Sequence, residues 1–169
     1  MDFEHLINSN EPAPFMCCPL CSSVVSLSCC TTALLPFYPD PTTMIPWTLL
    51  GTANIPDNGG ELRLTQRGQD FSIHLKGVRG ELMNSRIHSS ELALAELGCA
   101  HLHGVNNTKV LVGGLGMGFT LAAALKAVSA NSQVQVAELV PEIIAWNKGP
   151  LGECAGRPLS DSRVSIYAG

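Results

Sequence analysis

The chain has 169 residues, enough for one ordinary domain, and 46% hydrophobic against 14% charged residues describes a globular core rather than a disordered chain. A formal charge of -4 with no run of Lys or Arg excludes the footprint of a nucleic-acid binder, which neutralises phosphates with clustered cations, and leaves small molecules or proteins as partners. No membrane span is expected, because Ser26, Ser28, Thr31, Thr32 and Pro36 break the apolar stretch from Val24 to Tyr38 well short of the ~20 residues a crossing helix needs.

Residues 1–43 differ from the rest. All ten Lys and Arg fall between Arg63 and Arg163, while five of the seven cysteines are Cys17, Cys18, Cys21, Cys29 and Cys30. Pro12, Pro14, Pro19, Pro36, Pro39 and Pro41 interrupt every run that begins, so the segment is expected to be poorly ordered. The start, Met1-Asp2-Phe3-Glu4-His5, lacks the positive residues that open a secretory signal. Cys18 and Cys21 form a C-x-x-C spacing that Cys29 and Cys30 could complete into a tetrahedral zinc site. A second close pair is missing, and an unstructured or non-native segment is the better reading. With only Cys99 and Cys154 downstream, the main body reads as reduced and cytoplasmic. Ordinary composition begins at Met44-Ile45-Pro46-Trp47, which makes Met44 a candidate natural start; peptides carrying Met1 or Asp2 in native protein would sink that idea.

Residues 44–88 read as a small antiparallel β segment. Leu62 and Leu64, then Phe71, Ile73 and Leu75, alternate with polar neighbours, and Gly68 and Gly77 punctuate. Ser89-Ser90-Glu91 supplies hydroxyl caps and a first-turn acid for a helix predicted over Ser90 to Leu102, closed by Gly104. Lys109-Val110-Leu111-Val112 suits a parallel strand buried on both faces, and a glycine cluster and an Ala-rich helix from Leu121 to Val128 follow. Val134, Val136 and Ala137 make a second strand, Pro141 opens a helix through Trp146, and Arg163 to Tyr167 begins a third strand. That alternation indicates an α/β sheet.

Gly113-Gly114-Leu115-Gly116-Met117-Gly118 joins the first strand to its helix, where absent Cβ atoms permit a tight turn and close approach of a ligand. The helix N-terminus behind it favours an anionic or polar ligand group. Glu138 ends the next strand, where a carboxylate can accept hydrogen bonds from both ribose hydroxyls of an adenosine. The alternative is that the glycines serve helix packing and Glu138 is a solvated turn residue; strand, loop, helix, strand and acid together favour binding. The glycine pattern is Gly114-x-Gly116-x-Gly118, with Phe119 where a dinucleotide site asks for glycine or alanine, which tilts the cofactor from NAD toward S-adenosyl compounds.

The run Val110 to Leu121, with Val136-Ala-Glu-Leu-Val-Pro-Glu142, resembles the spermidine synthase-like proteins, which share the class I S-adenosylmethionine-dependent methyltransferase fold. Trp146 to Leu151, Asp161 to Val164 and, weakly, Leu82 to Glu91 extend the resemblance over about Met44 to Gly169. It implies that residues 89–169 are the first half of a Rossmann-like domain, with S-adenosylmethionine or its decarboxylated form held by Gly114, Gly116, Gly118 and Glu138. Polyamine aminopropyltransferases carry a Tyr-His-Glu signature where this chain has Ser89-Ser90-Glu91, which sets a polyamine acceptor in question. The family's catalytic acid follows a fourth strand, so the chain is expected to be a fragment lacking it. An open, apolar edge on its first strand is then expected, with self-association. The substrate implied is a small molecule, an amine in that family; a non-polyamine methyltransferase fragment and a non-catalytic nucleotide-binding or interaction module are the alternatives.

Three further side chains are weighed. His88, ahead of the first helix and near the glycine loop, is a candidate for substrate contact, against a capping or surface role. His101 and His103 read as C-terminal caps rather than a metal pair, and Trp146 as core rather than a stacking platform.

Overall fold

Leu62 and Leu64 lie two apart, as do Phe71, Ile73 and Leu75, and in a pleated strand that period sends each set to one face. In the computed structural model, which describes residues 45–169, these runs are β2 (Gly60–Arg67) and β3 (Asp70–Leu75). They belong to an antiparallel sheet ordered β1-β2-β3-β4, with β1 at Thr48–Ile55 and β4 at Met83–Asn84. Leu64 pairs with Ile73 across β2 and β3, and both are fully buried. The β1–β2 turn sets Asp57 and Asn58 at φ 55° and 62°, the left-handed pair a tight hairpin requires. β1 itself lies outside the expected alternation, because Gly51 interrupts it and the register shifts between Leu49 and Gly51.

Helix α1 spans Ser89–Cys99 and runs into a single 3-10 turn at Ala100–Leu102; Gly104, at φ 75°, ends it. Its start differs from expectation. His88 occupies the capping position with no side-chain bond to the helix, and the Ser90 hydroxyl donates instead to Glu91 Oε2 at 2.6 Å. The apolar residues around α1 drive its formation through packing on the next helix more than through its cap.

The second sheet is parallel and ordered β5 (Lys109–Gly113), β6 (Gln133–Glu138), β7 (Val164–Ala168). Helix α2 (Phe119–Ala127) joins β5 to β6, and α3 (Pro141–Lys148) follows β6. Pro141 opens α3, where a missing N–H costs nothing, and Glu142 and Lys148 lie at the ends that suit their charges. The α/β expectation holds: a Rossmann-like parallel sheet with helices, preceded by a small antiparallel sheet.

One correction concerns β5. Val112, Val134 and Val136 are buried under α2 and α3, but Lys109, Leu111, Gln133, Gln135, Ser165 and Tyr167 face outward and are exposed. The apolar run at β5 suggested burial on both faces; β6, whose residues alternate Gln-Val-Gln-Val, makes the sheet one-sided among the described residues.

The entry to β7 is pinned by Arg163. Its guanidinium pairs with Asp161 at 2.7 Å and donates to the carbonyls of Val128 and Ser129 just beyond α2. The Arg163 guanidinium holds the Asp161 carboxyl down at about 2, helped by the Arg163 backbone N–H.

Trp146 is buried, and its Nε1 lies where a Cβ on Gly51 would come within 3.0 Å, so the bare backbone of β1 accommodates the indole. The readings of residues 1–43, including the cysteine cluster, lie outside the described residues. Among the described residues no helix is long and apolar enough to cross a membrane.

Candidate functional site: the glycine loop and Glu138

The loop between β5 and α2 places Gly114, Gly116 and Gly118 at φ 88°, 54° and 84°, a region that side chains rarely enter. Their surroundings differ. A Cβ on Gly118 would meet Asn147 Oδ1 at 3.0 Å and Pro158 Cγ at 3.1 Å, so this glycine serves packing. A Cβ on Gly116 would lie 3.3 Å from the Met83 sulfur. Gly114 would meet nothing within 4 Å, which leaves its backbone open to an approaching molecule.

Glu138 comes to this loop from the end of β6. Its Oε2 accepts the Leu115 N–H at 2.7 Å and its Oε1 accepts the Val140 N–H at 2.9 Å, with the residue 8% exposed. One side chain therefore fixes both the glycine loop and the lead-in to α3. A carboxylate has about four acceptor positions, and two are spent on these backbone bonds. Two remain, matching in number the hydroxyls of a ribose.

Asn147 holds the loop from the other side, a role the sequence does not announce. From α3 its amide nitrogen donates to Gly116 O at 2.8 Å and to Ile143 O at 2.9 Å; its Oδ1 is buried without a partner. The available signal is a polar residue within the buried face of α3, beside Ile143 and Trp146. Met83 was likewise missed, since β4 is only two residues long and shows no period.

Phe119, in place of the small residue of a dinucleotide site, is buried at the start of α2 and stacks on His88, ring centroids 4.0 Å apart and planes 9° from parallel. His88 thus lies behind the loop, partly exposed, with Nδ1 buried and unpartnered. His101 and His103 are exposed at the end of α1, and neither lines the cleft beside Gly113 and Gly114. The structure brings together Gly114, Gly116, Gly118 and Glu138, and sets His88 one aromatic ring away. A cleft of about 330 Å³ opens beside Gly113 and Gly114 and continues between α1 and β5, lined by Ala95, Cys99, Val110 and Thr120 among others.

No family model and no curated protein matches the sequence. Among solved structures, a spermidine synthase in complex with the transition-state analogue AdoDATO matches with a TM-score of 0.50 and 17% sequence identity, covering 71% of this chain and 40% of that one. The chain spans about two fifths of that protein's length. At this identity the likeness is one of architecture alone: the chain has a spermidine synthase-like fold.

Proposed function

We propose that residues 45–169 are the cofactor-binding part of a spermidine synthase-like transferase and hold S-adenosylmethionine or its decarboxylated form between the glycine loop and Glu138. The observation that carries this reading is the bond from Leu115 N–H to Glu138 Oε2, which unites acid and loop beside the open backbone of Gly114. The residues fit such a ligand: two acceptor positions of Glu138 receive the ribose hydroxyls, and the loop at the start of α2 faces the polar remainder.

The cofactor supplies an electrophilic carbon next to a sulfonium. This chain's own residues do the holding. Glu138 orients the ribose, Gly114 admits the ligand to the main chain, and Asn147 keeps the loop in its left-handed conformation through Gly116 O. Orientation of this kind converts a bimolecular encounter into a nearly unimolecular one. We assign no catalytic acid or base among residues 45–169. His88 is the candidate for substrate contact, through the part of its ring not stacked on Phe119.

A small-molecule amine is the acceptor class proposed. One observation favours an acceptor other than a polyamine: at the position of the Tyr-His-Glu signature this chain has Ser89-Ser90-Glu91, so the Tyr and His side chains are absent and the Ser90 hydroxyl donates to Glu91 Oε2. The same site with a methyl-donating cofactor gives a methyltransferase, the second reading.

Calorimetry with S-adenosylmethionine, its decarboxylated form and NAD tests the proposal. Binding of an S-adenosyl compound is expected, with Glu138→Gln weakening it about tenfold, or ~1.4 kcal/mol. Preferential binding of NAD would overturn the cofactor class, and binding of none would favour a non-catalytic interaction module.

A further inference from the structure

The connection from β4 to α1 lies against the second half of the glycine loop at two points. Met83, at its start, has its sulfur 3.3 Å from where a Cβ on Gly116 would stand, and His88, at its end, stacks on Phe119 at 4.0 Å. Between them the chain is tied down. Asn84 Oδ1 accepts the N–H groups of Arg86 and Ile87 at 3.0 and 2.9 Å, and Ser85 Oγ accepts the Phe71 N–H at 2.9 Å. Arg86 pairs with Asp70 and Glu81. The first half of the loop lies elsewhere: Gly114 N donates to Ala137 O, next to Glu138, and a Cβ on Gly114 would meet nothing. A ligand anchored by its ribose at Glu138 and extending along the loop therefore ends against this connection.

The side chains there leave one polar group uncommitted. Met83 and Ile87 are apolar, Asn84, Ser85 and Arg86 have the partners just given, and Glu91 in the first turn of α1 accepts from Ser90. His88 remains, with Nδ1 buried and unpartnered and the rest of the ring partly exposed. An orphaned N–H is a rarer and costlier burial than an orphaned lone pair. The ring proton therefore belongs on Nε2, which makes His88 a hydrogen-bond donor through its second nitrogen.

We propose, resting on the cofactor reading above, that His88 selects between the two S-adenosyl compounds: its Nε2–H donates to the carboxylate of S-adenosylmethionine, a group the decarboxylated form lacks. The two compounds share adenosine, sulfonium and amine, so the ribose site at Glu138 treats them alike. A donor at the far end separates them, because a carboxylate accepts a charge-assisted bond and an ammonium has no lone pair to accept one. The soft, apolar thioether of Met83 suits the methylene part of the tail in between.

Calorimetry of the full chain with S-adenosylmethionine and with its decarboxylated form tests this. Wild type is expected to bind S-adenosylmethionine about tenfold more tightly. His88→Phe keeps a ring to stack on Phe119 and removes the donor. It should lower the affinity for S-adenosylmethionine about tenfold and leave that for the decarboxylated form within about twofold. His88→Gln, which restores an N–H donor, should recover part of the preference. Glu138→Gln should weaken both compounds alike, so the ribose site and the selector are read separately. Should His88→Phe fail to fold, nitrogen NMR of wild-type His88 decides: a proton on Nε2 whose signal moves with S-adenosylmethionine alone supports the proposal, and a proton on Nδ1, or equal movement with both compounds, overturns it. Wild-type affinity that is equal for the two or higher for the decarboxylated form, or a preference that survives in His88→Phe, overturns this proposal and leaves the cofactor reading standing. Binding of neither compound overturns both.

Discussion

The two faces of the parallel sheet are built from the same three strands, yet they obey different rules. Toward α2 and α3 the strands present Val110, Val112, Val134, Val136, Val164 and Ile166; away from the helices they present Lys109, Leu111, Gln133, Gln135, Ser165 and Tyr167. The inner face stabilises by removing apolar surface from water, worth ~1.5 kcal/mol or more per buried valine. The outer face carries the amides of Gln133 and Gln135 on its central strand β6, and its two large apolar or aromatic residues stand on β5 and β7, the outer strands among the described residues. A parallel strand need not be apolar on both sides; what its alternation reveals is how many layers cover it.

The largest effect should come from exchanging the two rules. Val134→Asp places an unpaired carboxylate in the inner face and should cost more than ~4 kcal/mol, enough to unfold a domain of ordinary stability. Gln135→Asp, one residue along, should stay within about 0.5 kcal/mol. Urea denaturation of both variants decides the matter, and similar shifts would void the assignment of faces.

The glycine loop repeats the contrast on a smaller scale. Gly118→Ala adds steric conflict with Asn147 and Pro158 to the left-handed strain and should cost about 3 kcal/mol. Gly114→Ala bears the strain alone, about 1 kcal/mol, because its surroundings are open. Thermal melts paired with S-adenosylmethionine titrations should therefore separate them: Gly118→Ala loses mainly stability, Gly114→Ala mainly affinity.

The smallest effect is electrostatic. The folded-state pKa of Asp161 lies at about 2, below the ~3.9 of an unfolded aspartate, so its contribution is present above that unfolded value and fades as pH falls toward 2. Arg163→Ala should cost about 1 kcal/mol at neutral pH, since the pair is partly exposed. The difference between wild type and variant should shrink between roughly pH 4 and pH 2. A difference independent of pH would leave the carbonyl contacts of Arg163 as its sole role.

Strand, glycine loop, helix, strand and acid were legible in the sequence because each is written locally: a short apolar run, residues without Cβ, a helical run, and a carboxylate where the next strand ends. What the sequence concealed are arrangements made across distance. Asn147 bonds to Gly116 from 31 residues away, and its place on the buried face of α3 says that it has a partner but not which one. Met83 reaches the same glycine from a strand too short to show a period. β1 was hidden because Gly51, which breaks its pattern, answers to the indole of Trp146 rather than to its own neighbours. The helix cap misled for a related reason: Ser90 had a nearer partner in Glu91 than in the backbone.

That meeting of Gly51 and Trp146 gives the molecule a built-in optical gauge. The chain has two tryptophans. Trp47 is 38% exposed beneath the Arg67 guanidinium, and Trp146 is 9% exposed at the seam between the two sheets. Emission from Trp47 reports the end of the antiparallel sheet where β1 begins and β2 ends, while a red shift from Trp146 marks the moment the antiparallel sheet parts from the helix behind the glycine loop. Followed against backbone ellipticity during unfolding, the two signals tell whether the glycine loop loses its support before the parallel sheet itself melts or only together with it.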